Sequence, residues 1–182
     1  MENENKIILD LCGGTGAWSK PYKDAGYDVR LITLPDNDVR NYQPPENVYG
    51  ILAAPPCTHL SGSGARWWKQ KGDGALLEAL SIADACLRIV AICNPFWWAL
   101  ENPVGRLRRY YGDPTLLFNP CDYGDPYTKK TLVWGNFNLP KKMPVEPTEG
   151  SKIHLYPPSD DRARLRSITP QGFAKAFFEA NK

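Results

Sequence analysis

The chain has 182 residues, enough for one folded domain with a substantial core but too few for two comfortable ones. An apolar content of 42% excludes a disordered chain, and no apolar run is long enough to cross a membrane. The net charge of +2 neither requires nor excludes nucleic acid.

Five cysteines, none in a Cys-x-x-Cys pair, and two histidines argue against a zinc site. An odd cysteine count also argues against a disulfide framework. The amino terminus shows no signal-peptide pattern. We therefore expect a cytoplasmic protein that binds neither a metal nor a membrane.

A buried strand is predicted over residues 6–11, followed by a glycine-rich turn at 13–16 and a short helix ending near Ala25. Strand, glycine turn and helix form the unit that cradles nucleotides, because glycines let the backbone approach a ligand at a helix N-terminus. By itself such a turn is a weak signal, since many similar turns bind nothing.

The second predicted strand covers residues 27–34. Nucleoside-binding α/β domains commonly carry an acid at the end of this strand, where it binds ribose hydroxyls. Thr33 or Leu34 stands there instead, and the nearest acid is Asp36. Asp38 could accept a hydrogen bond from an adenine amino group, or it could cap a turn.

The third predicted strand, residues 48–53, is followed at once by Pro55-Pro56-Cys57. Proline cannot donate to a sheet ladder, so the strand stops there. Cys57 then lies just past the carboxyl end of a buried strand, where open α/β sheets bind their ligands. Its thiol is either a nucleophile or a small apolar filler.

Residues 58–72 combine glycine and serine with Trp67, Trp68 and several cations. This composition suits a mobile loop that closes over a nucleic-acid backbone, with an aromatic ring stacking on or wedging between bases. Alternatively, both tryptophans begin the next helix and pack inside. The residues predicted to contact nucleic acid are Ser61, Arg66, Trp67, Lys69 and Lys71 in this segment, and Arg106 and Arg166 further along.

A long helix is predicted from residue 74 to about 93, capped by Asp73. A fourth strand, residues 96–100, runs straight into Glu101-Asn102-Pro103. Glu101 therefore also lies at the ligand edge of the sheet, although such an acid, taken alone, is more often capping or ion-paired.

The remainder contains a strand over 127–135, a proline-rich stretch from 140 to 158 without a convincing element, a basic arm, and an amphipathic helix starting near Thr169. Together these elements predict an α/β fold in one domain.

Three stretches stand in fixed order: residues 10–16, Pro55-Pro56-Cys57 and Glu101-Asn102-Pro103. In this order and chemistry the chain resembles the S-adenosylmethionine-dependent DNA cytosine-5 methyltransferases. Gly124-Asp125-Pro126 and the late 166–170 stretch also resemble family motifs. The resemblance implies a Rossmann-like class I methyltransferase domain over residues 1–182, with a mostly parallel central sheet and helices on both faces.

The resemblance also implies roles for individual residues. Cys57 would add to C6 of a flipped cytosine, Glu101 would protonate or neutralise N3, and Lys129 would lie near the ring oxygen. S-adenosylmethionine is the implied cofactor, and DNA is the implied partner. The residues expected to bind the cofactor are Asp10, Cys12, Gly13, Gly14, Thr15, Gly16, Trp18, Thr33, Asp38, Val39 and Pro55.

Several positions depart from the family pattern. Cys12 stands where the family usually has Phe, and Tyr127, Lys129 and Thr131 replace its Gln-x-Arg-x-Arg. Residues 140–160 form a proline-rich loop in place of a target-recognition domain, which predicts short or relaxed sequence specificity. The same chemistry on RNA or a free cytosine nucleotide, a degenerate S-adenosylmethionine-binding partner subunit, and a plain nucleotide-binding domain remain alternatives.

Overall fold

The structure is a computed structural model that describes residues 2–182, apart from the side chain of His154. A six-stranded sheet forms the centre of the domain, in the order β2-β1-β3-β4-β6-β5. Strands β1 to β4 are parallel, and β6 runs antiparallel to both of its neighbours. The strands are β1 (Ile7–Leu11), β2 (Asp28–Ile32), β3 (Val48–Ala53), β4 (Trp97–Pro103), β5 (Leu116–Phe118) and β6 (Thr131–Asn136).

Helices cover both faces of this sheet. They are α1 (Lys20–Asp24), α2 (Trp68–Cys93), α3 (Arg108–Tyr111), α4 (Arg162–Ser167) and α5 (Gln171–Ala180). Short 3₁₀ helices occur at Asn3–Asn5, Gly62–Trp67, Pro120–Tyr123 and Lys152–His154. The predicted fold class, an α/β domain with a mostly parallel sheet between two helical layers, is confirmed.

Strand alternation divides the core into two layers, because successive side chains point to opposite faces of a sheet. Leu9 and Ile51 pack on the face covered by α2, which contributes Ala83, Cys86 and Ile89. The opposite face, covered by α1 and α5, is mainly aromatic. Its buried residues include Trp18, Tyr22, Trp97, Phe118, Phe173 and Phe177.

Helix α2 begins six residues earlier than the sequence pattern predicts. It starts at Trp68 and is interrupted at Gly72, whose φ of 71° and ψ of −178° are not helical. Glycine tolerates this left-handed φ because it has no Cβ. The segment after the kink therefore begins at Asp73, close to the predicted start.

The short elements β5, α3 and α4 were not predicted, and the basic arm before α5 folds as α4. Within residues 2–182, no helix has both the length and the apolar character required to cross a membrane.

Candidate active site

The carboxyl ends of β1, β3 and β4 meet at one edge of the sheet, as parallel neighbours must. A cleft opens at this edge, and the three sequence stretches singled out above all contribute to its walls. It is lined by Asp10, Cys12, Gly13, Gly14, Trp18, Ala54, Pro55, Pro56, Cys57, Glu101, Pro103, Lys129, Arg166, Ser167 and Thr169. Side chains that are far apart in the sequence therefore line the same small cleft.

A buried amide joins the two motifs that end β3 and β4. Asn102 is fully buried, and its Nδ2 donates a hydrogen bond of 2.9 Å to the carbonyl oxygen of Pro55. The carbonyl oxygen of Cys57 accepts from the amides of Leu60 and Ser61, at 3.0 and 2.8 Å, which closes a turn directly after the thiol. These bonds set the direction in which Cys57 leaves the sheet, and sequence reasoning gave no role to Asn102.

The segment after Cys57 is attached to the segment after Glu101-Asn102-Pro103. The amide of Gly62 donates to the carbonyl of Val104 at 2.8 Å, and the amide of Arg106 donates to the carbonyl of Leu60 at 2.9 Å. Gly105 permits this approach, because a Cβ there would lie 2.0 Å from the carbonyl oxygen of Leu60. The predicted mobile loop is therefore held at its start, and it continues as a 3₁₀ helix into α2.

The surroundings of Cys57 shift the pKa of its thiol in both directions. Burial raises its pKa, and the nearby Glu101 carboxylate raises it further, while the charges of Lys129 and Arg166 lower it. Desolvation outweighs the two cations, so the thiol form is favoured in this state.

Burial also raises the pKa of Glu101, and Lys129 opposes that effect. A raised pKa makes the protonated form of the Glu101 carboxyl easier to reach than in an exposed glutamate. A protonated Glu101 no longer repels a thiolate at Cys57. The two groups are thus coupled: the neutral acid and the ionised thiol favour one another.

Two cations approach this pair from different elements. Lys129 precedes β6, and its Nζ donates a hydrogen bond of 2.9 Å to the backbone oxygen of Arg166 in α4. Arg166 is half-buried, and its guanidinium forms no hydrogen bond or ion pair with the part of the chain that the structure describes.

The glycine turn lies directly above Asp10, which is fully buried at the end of β1. Ser19 donates its hydroxyl to Asp10 Oδ2 at 2.5 Å, whereas Oδ1 has no partner among the described atoms. Burial raises the pKa of Asp10 to about 6, in spite of the bond from Ser19. A Cβ at Gly13 would lie 2.3 Å from this carboxyl group, so a side chain there would block it.

Cys12 lies beside the turn with a positive φ of 57°. It packs against the core cluster that contains Cys86 of α2, and its proximity raises the pKa of Cys86. Trp18 is buried against Phe173 and Phe177 of α5, with ring centroids 5.8 and 5.4 Å away, and it also lines the cleft. The small Cys12 side chain is thus directed partly towards the core.

The other residues predicted to bind the cofactor lie outside the cleft lining. Thr15 is exposed, Thr33 is half-buried just after β2, and Val39 is packed in the core. Asp38 forms an ion pair of 2.6 Å with Arg40 and accepts its amide at 2.9 Å, which holds the Asp38 pKa below its usual range. This contact is the turn-capping role that the sequence left open.

Most residues predicted to contact nucleic acid lie along 61–71, and this segment contributes no side chain to the lining of the cleft. Trp67 is 48% exposed, and the Arg66 guanidinium lies 5.1 Å from its ring. Lys71 donates to the carbonyl of Thr58 at 3.3 Å. Arg106 is engaged with the protein, since it stacks 4.5 Å above Trp68 and donates to a backbone carbonyl.

Ser61 and Lys69 complete this set. Ser61 accepts the amide of Ser63 at 3.3 Å, and Lys69 is exposed in the first turn of α2. Among the described residues, no group of three or more His, Cys, Asp or Glu side chains could hold a metal ion.

The sheet order, the two helical layers and the cleft at the carboxyl ends of the strands define a Rossmann-like methyltransferase fold. A solved structure assigned as a DNA modification methyltransferase, encoded within a prophage of E. coli, superposes with a TM-score of 0.50. The match covers 85% of this chain and 56% of that chain at 19% sequence identity, so it concerns the fold alone.

In sequence, the chain is similar to the type II methyltransferase M.DdeI of Desulfomicrobium norvegicum. The two are 24% identical over 170 residues, and the match covers 70% of this chain and 39% of the relative. The chain thus spans about two fifths of the length of this relative. No family model matches the chain.

Proposed function

We propose that this protein transfers a methyl group from S-adenosylmethionine to C5 of a cytosine in DNA, through a covalent adduct on Cys57. One observation carries the proposal: a thiol and a buried carboxyl face a common cleft, beside a glycine turn at the carboxyl edge of a parallel sheet. The similarity to DNA methyltransferases in fold and in sequence supports the reaction class and the DNA substrate.

The glycine turn and Asp10 fit a bound methyl donor. The turn brings backbone close to the cleft, and the unpartnered Asp10 Oδ1 offers an acceptor for a donor's amino or hydroxyl hydrogen. Trp18 and Pro55 supply apolar wall. Thr33 stands where nucleoside-binding domains commonly place a ribose-binding acid, and Asp38, the candidate partner of an adenine amino group, is ion-paired with Arg40. When bound, S-adenosylmethionine supplies a methyl group attached to a positively charged sulfur.

In the proposed reaction the thiolate of Cys57 forms a bond to C6 of cytosine. The electron pair of the C5–C6 double bond is thereby made available at C5, which takes the methyl group as the methyl–sulfur bond breaks. A base, such as a water molecule, removes the C5 proton. The C6–sulfur bond then breaks by β-elimination, which restores the ring and releases Cys57.

Glu101 and Lys129 stabilise the charge that this addition creates. Electron density moves towards N3 of the ring as sulfur adds to C6, and a protonated Glu101 can donate its proton there. Its burial supports this role because burial raises its pKa. Lys129, whose charge acts on both Glu101 and Cys57, balances negative charge near the carbonyl oxygen of the cytosine ring.

Access to a cytosine in a duplex requires base flipping, which costs a few kcal/mol. The segment from Ser61 to Lys71, with the exposed Trp67, follows the catalytic thiol and suits contact with the displaced strand. Residues 140–160 hold one short 3₁₀ helix at Lys152–His154 and otherwise no regular helix or strand. We therefore propose short or relaxed sequence specificity.

The first test supplies labelled methyl donor with DNA, RNA and dCMP in parallel. Cys57→Ser is expected to lower transfer to DNA by at least about 10³-fold, because serine at this position is a far weaker nucleophile. Cys93→Ser, which changes a half-buried cysteine at the end of α2, serves as the matched control and is expected to retain activity.

Label on RNA or dCMP alone would assign a different substrate to the same chemistry. Equal transfer by Cys57→Ser and the wild-type protein would exclude the covalent mechanism. Activity confined to one long DNA sequence would contradict relaxed specificity.

A further inference from the structure

Arg106 holds the turn that follows Cys57 by two separate bonds. Its amide donates to the carbonyl oxygen of Leu60 at 2.9 Å, and its Nε donates to the carbonyl oxygen of His59 at 2.8 Å. The same guanidinium lies 4.5 Å from the ring centre of Trp68, the first residue of α2. One side chain therefore ties the turn to the helix into which this segment continues.

The turn carries the nucleophile of the proposed reaction at its first position. The carbonyl oxygen of Cys57 accepts the amides of Leu60 and Ser61, so the backbone of Cys57 depends on where these two residues are held. They are held by the amide of Arg106 and by a β-bridge between Ser61 and Gly105. The bond from the Arg106 Nε adds a further attachment at the middle of the turn.

The Arg106 side chain is poorly suited to a purely structural role. Its Nη2 is buried and has no hydrogen-bond partner among the described atoms, and the same is true of Trp68 Nε1 and His59 Nδ1. A buried donor without a partner lowers stability, and the desolvation of a charge adds to that cost. An apolar side chain of similar length would pack on Trp68 without this cost.

We propose that Arg106 is a positioning residue, which holds the turn after Cys57 so that the thiol faces the cleft. This inference rests on the proposed function and deepens it, because it gives a role in the reaction to a side chain that was expected to contact nucleic acid. The charges that shift the pKa of Cys57 belong to Glu101, Lys129 and Arg166. Arg106 therefore acts on the nucleophile through the backbone.

The position of the thiol matters because sulfur must approach C6 of the ring closely and from one face. A displacement of about 1 Å can lower a rate about 10²-fold. On the side of the sheet, the chain before Cys57 is held by the bond from Asn102 to Pro55. On the other side it is held by the turn, so loss of the Arg106 side chain would leave the thiol free to sample other directions.

The first experiment replaces Arg106 by an apolar side chain of similar length. Arg106→Met keeps packing on Trp68 but removes the bond to His59 and the buried charge. Single-turnover methyl transfer is expected to fall about 10²-fold with little change in KM, because the thiol is less well aligned. The thermal midpoint should be unchanged or higher, since a buried charge with an unpartnered donor has been removed.

Two further variants accompany this change. Arg109→Met is the matched control, because Arg109 is exposed on α3, and its rate and thermal midpoint should equal those of the wild-type protein. Arg106→Lys should recover part of the lost rate, because its ammonium can donate to the carbonyl oxygen of His59 although it lacks the planar fork.

The second experiment needs neither substrate nor methyl donor. Alkylation of Cys57 by iodoacetamide is followed by mass spectrometry of the Cys57 peptide. Arg106→Met is expected to react several-fold faster than the wild-type protein, because a thiol in a loosened turn is more exposed. Faster alkylation together with slower methyl transfer indicates a misplaced nucleophile, since a less reactive thiol would slow both reactions.

The outcomes distinguish positioning from the other roles of a cation. A lower thermal midpoint with unchanged alkylation would make Arg106 a purely structural residue, and full activity of Arg106→Met would also overturn the proposal. A higher KM with a weaker salt dependence of DNA binding would assign Arg106 to a phosphate instead. A wild-type protein that transfers no methyl group would contradict the proposed function, whereas the alkylation rates would still decide whether Arg106 positions Cys57.

Discussion

At the carboxyl ends of β1 and β4, two carboxyl groups, Asp10 and Glu101, are held with their pKa values raised by burial. At the opposite ends of the same strands the space is filled by rings. Tyr22 stacks on Trp97 with centroids 5.4 Å apart, and the ammonium of Lys6 lies 4.6 Å from the ring of Tyr49. One end of the sheet holds ionisable carboxyl groups that are buried away from water, and the other end buries a large apolar surface.

This difference has a thermodynamic meaning. A buried carboxyl group with few hydrogen bonds lowers stability, because its ionised form loses hydration. Aromatic packing supplies stability, since each buried ring removes a large apolar area from water. Aromatic packing at one end of the sheet, the aromatic end, therefore offsets the loss of stability at the carboxyl ends of the strands, the reactive end. Substitutions at the reactive end should lower activity with little effect on stability, and substitutions at the aromatic end should lower stability with little effect on the site.

The largest expected effect is at the reactive end. Glu101→Gln is expected to reduce single-turnover methyl transfer by about 10² to 10⁴-fold, because the amide cannot give a proton to N3. Stability should be unchanged or slightly higher, since a buried ionisable group has been removed. Rate and thermal midpoint are measured on the same preparation.

Glu179→Gln is the matched control, because Glu179 forms an exposed ion pair with Lys182 at the end of α5. Its rate should equal that of the wild-type protein. A fully active Glu101→Gln enzyme would remove Glu101 from the chemistry.

The aromatic end should behave in the opposite way. Tyr22 is fully buried between Tyr27, Trp97 and Phe178. Tyr22→Ala is expected to lower the free energy of unfolding by about 3–5 kcal/mol, as for other large-to-small aromatic changes. Urea unfolding measures the loss, and alkylation of Cys57 in the folded fraction should follow the wild-type pH profile.

Tyr22→Phe provides the comparison, because it removes only the hydroxyl that donates to the backbone oxygen of Asn181 at 3.3 Å. Its cost should be about 1 kcal/mol. A larger loss from Tyr22→Phe than from Tyr22→Ala would contradict the packing explanation.

A smaller effect is expected from the pH dependence of Asp10. Its pKa rises from an ordinary value of 3.8 to about 6 on folding, so the folded state holds this proton more tightly than the unfolded state. Its contribution to stability is therefore greatest below pH 4, falls as the pH rises from about 4 to 6, and stays low above. The total loss corresponds to about 3 kcal/mol.

Urea midpoints at several pH values, compared between the wild-type protein and Asp10→Asn, measure this dependence. Asp10→Asn should show a shallower decline between pH 4 and 6, because only the part from Glu101, whose pKa burial also raises, remains. Asp24→Asn, which changes an exposed pair with Lys20, should retain the full decline. Identical declines in the wild-type protein and Asp10→Asn would place the raised pKa on another group.

Much of the reactive end could be predicted from local sequence. Pro55 and Pro56 stop β3 wherever the strand lies, so Cys57 had to follow a strand end. Glu101 follows an apolar run in the same way, and parallel strands bring such ends to one edge of the sheet. The contacts of the aromatic end could not be predicted in this way, because no local sequence pattern indicates which of the rings of Tyr22, Tyr27 and Trp97 will pack together.

By itself, the sequence determined where the strands stop and which side chains follow them, because proline geometry and the two-residue period of a strand act over a few residues. Tertiary structure alone decided the contacts that prepare the site. The bond from Asn102 to Pro55 spans 47 residues, and that from Lys129 to Arg166 spans 37. Such pairs depend on the whole sheet and its helices being assembled, so neither the anchoring of Cys57 nor the approach of Arg166 is encoded in any short stretch of the chain.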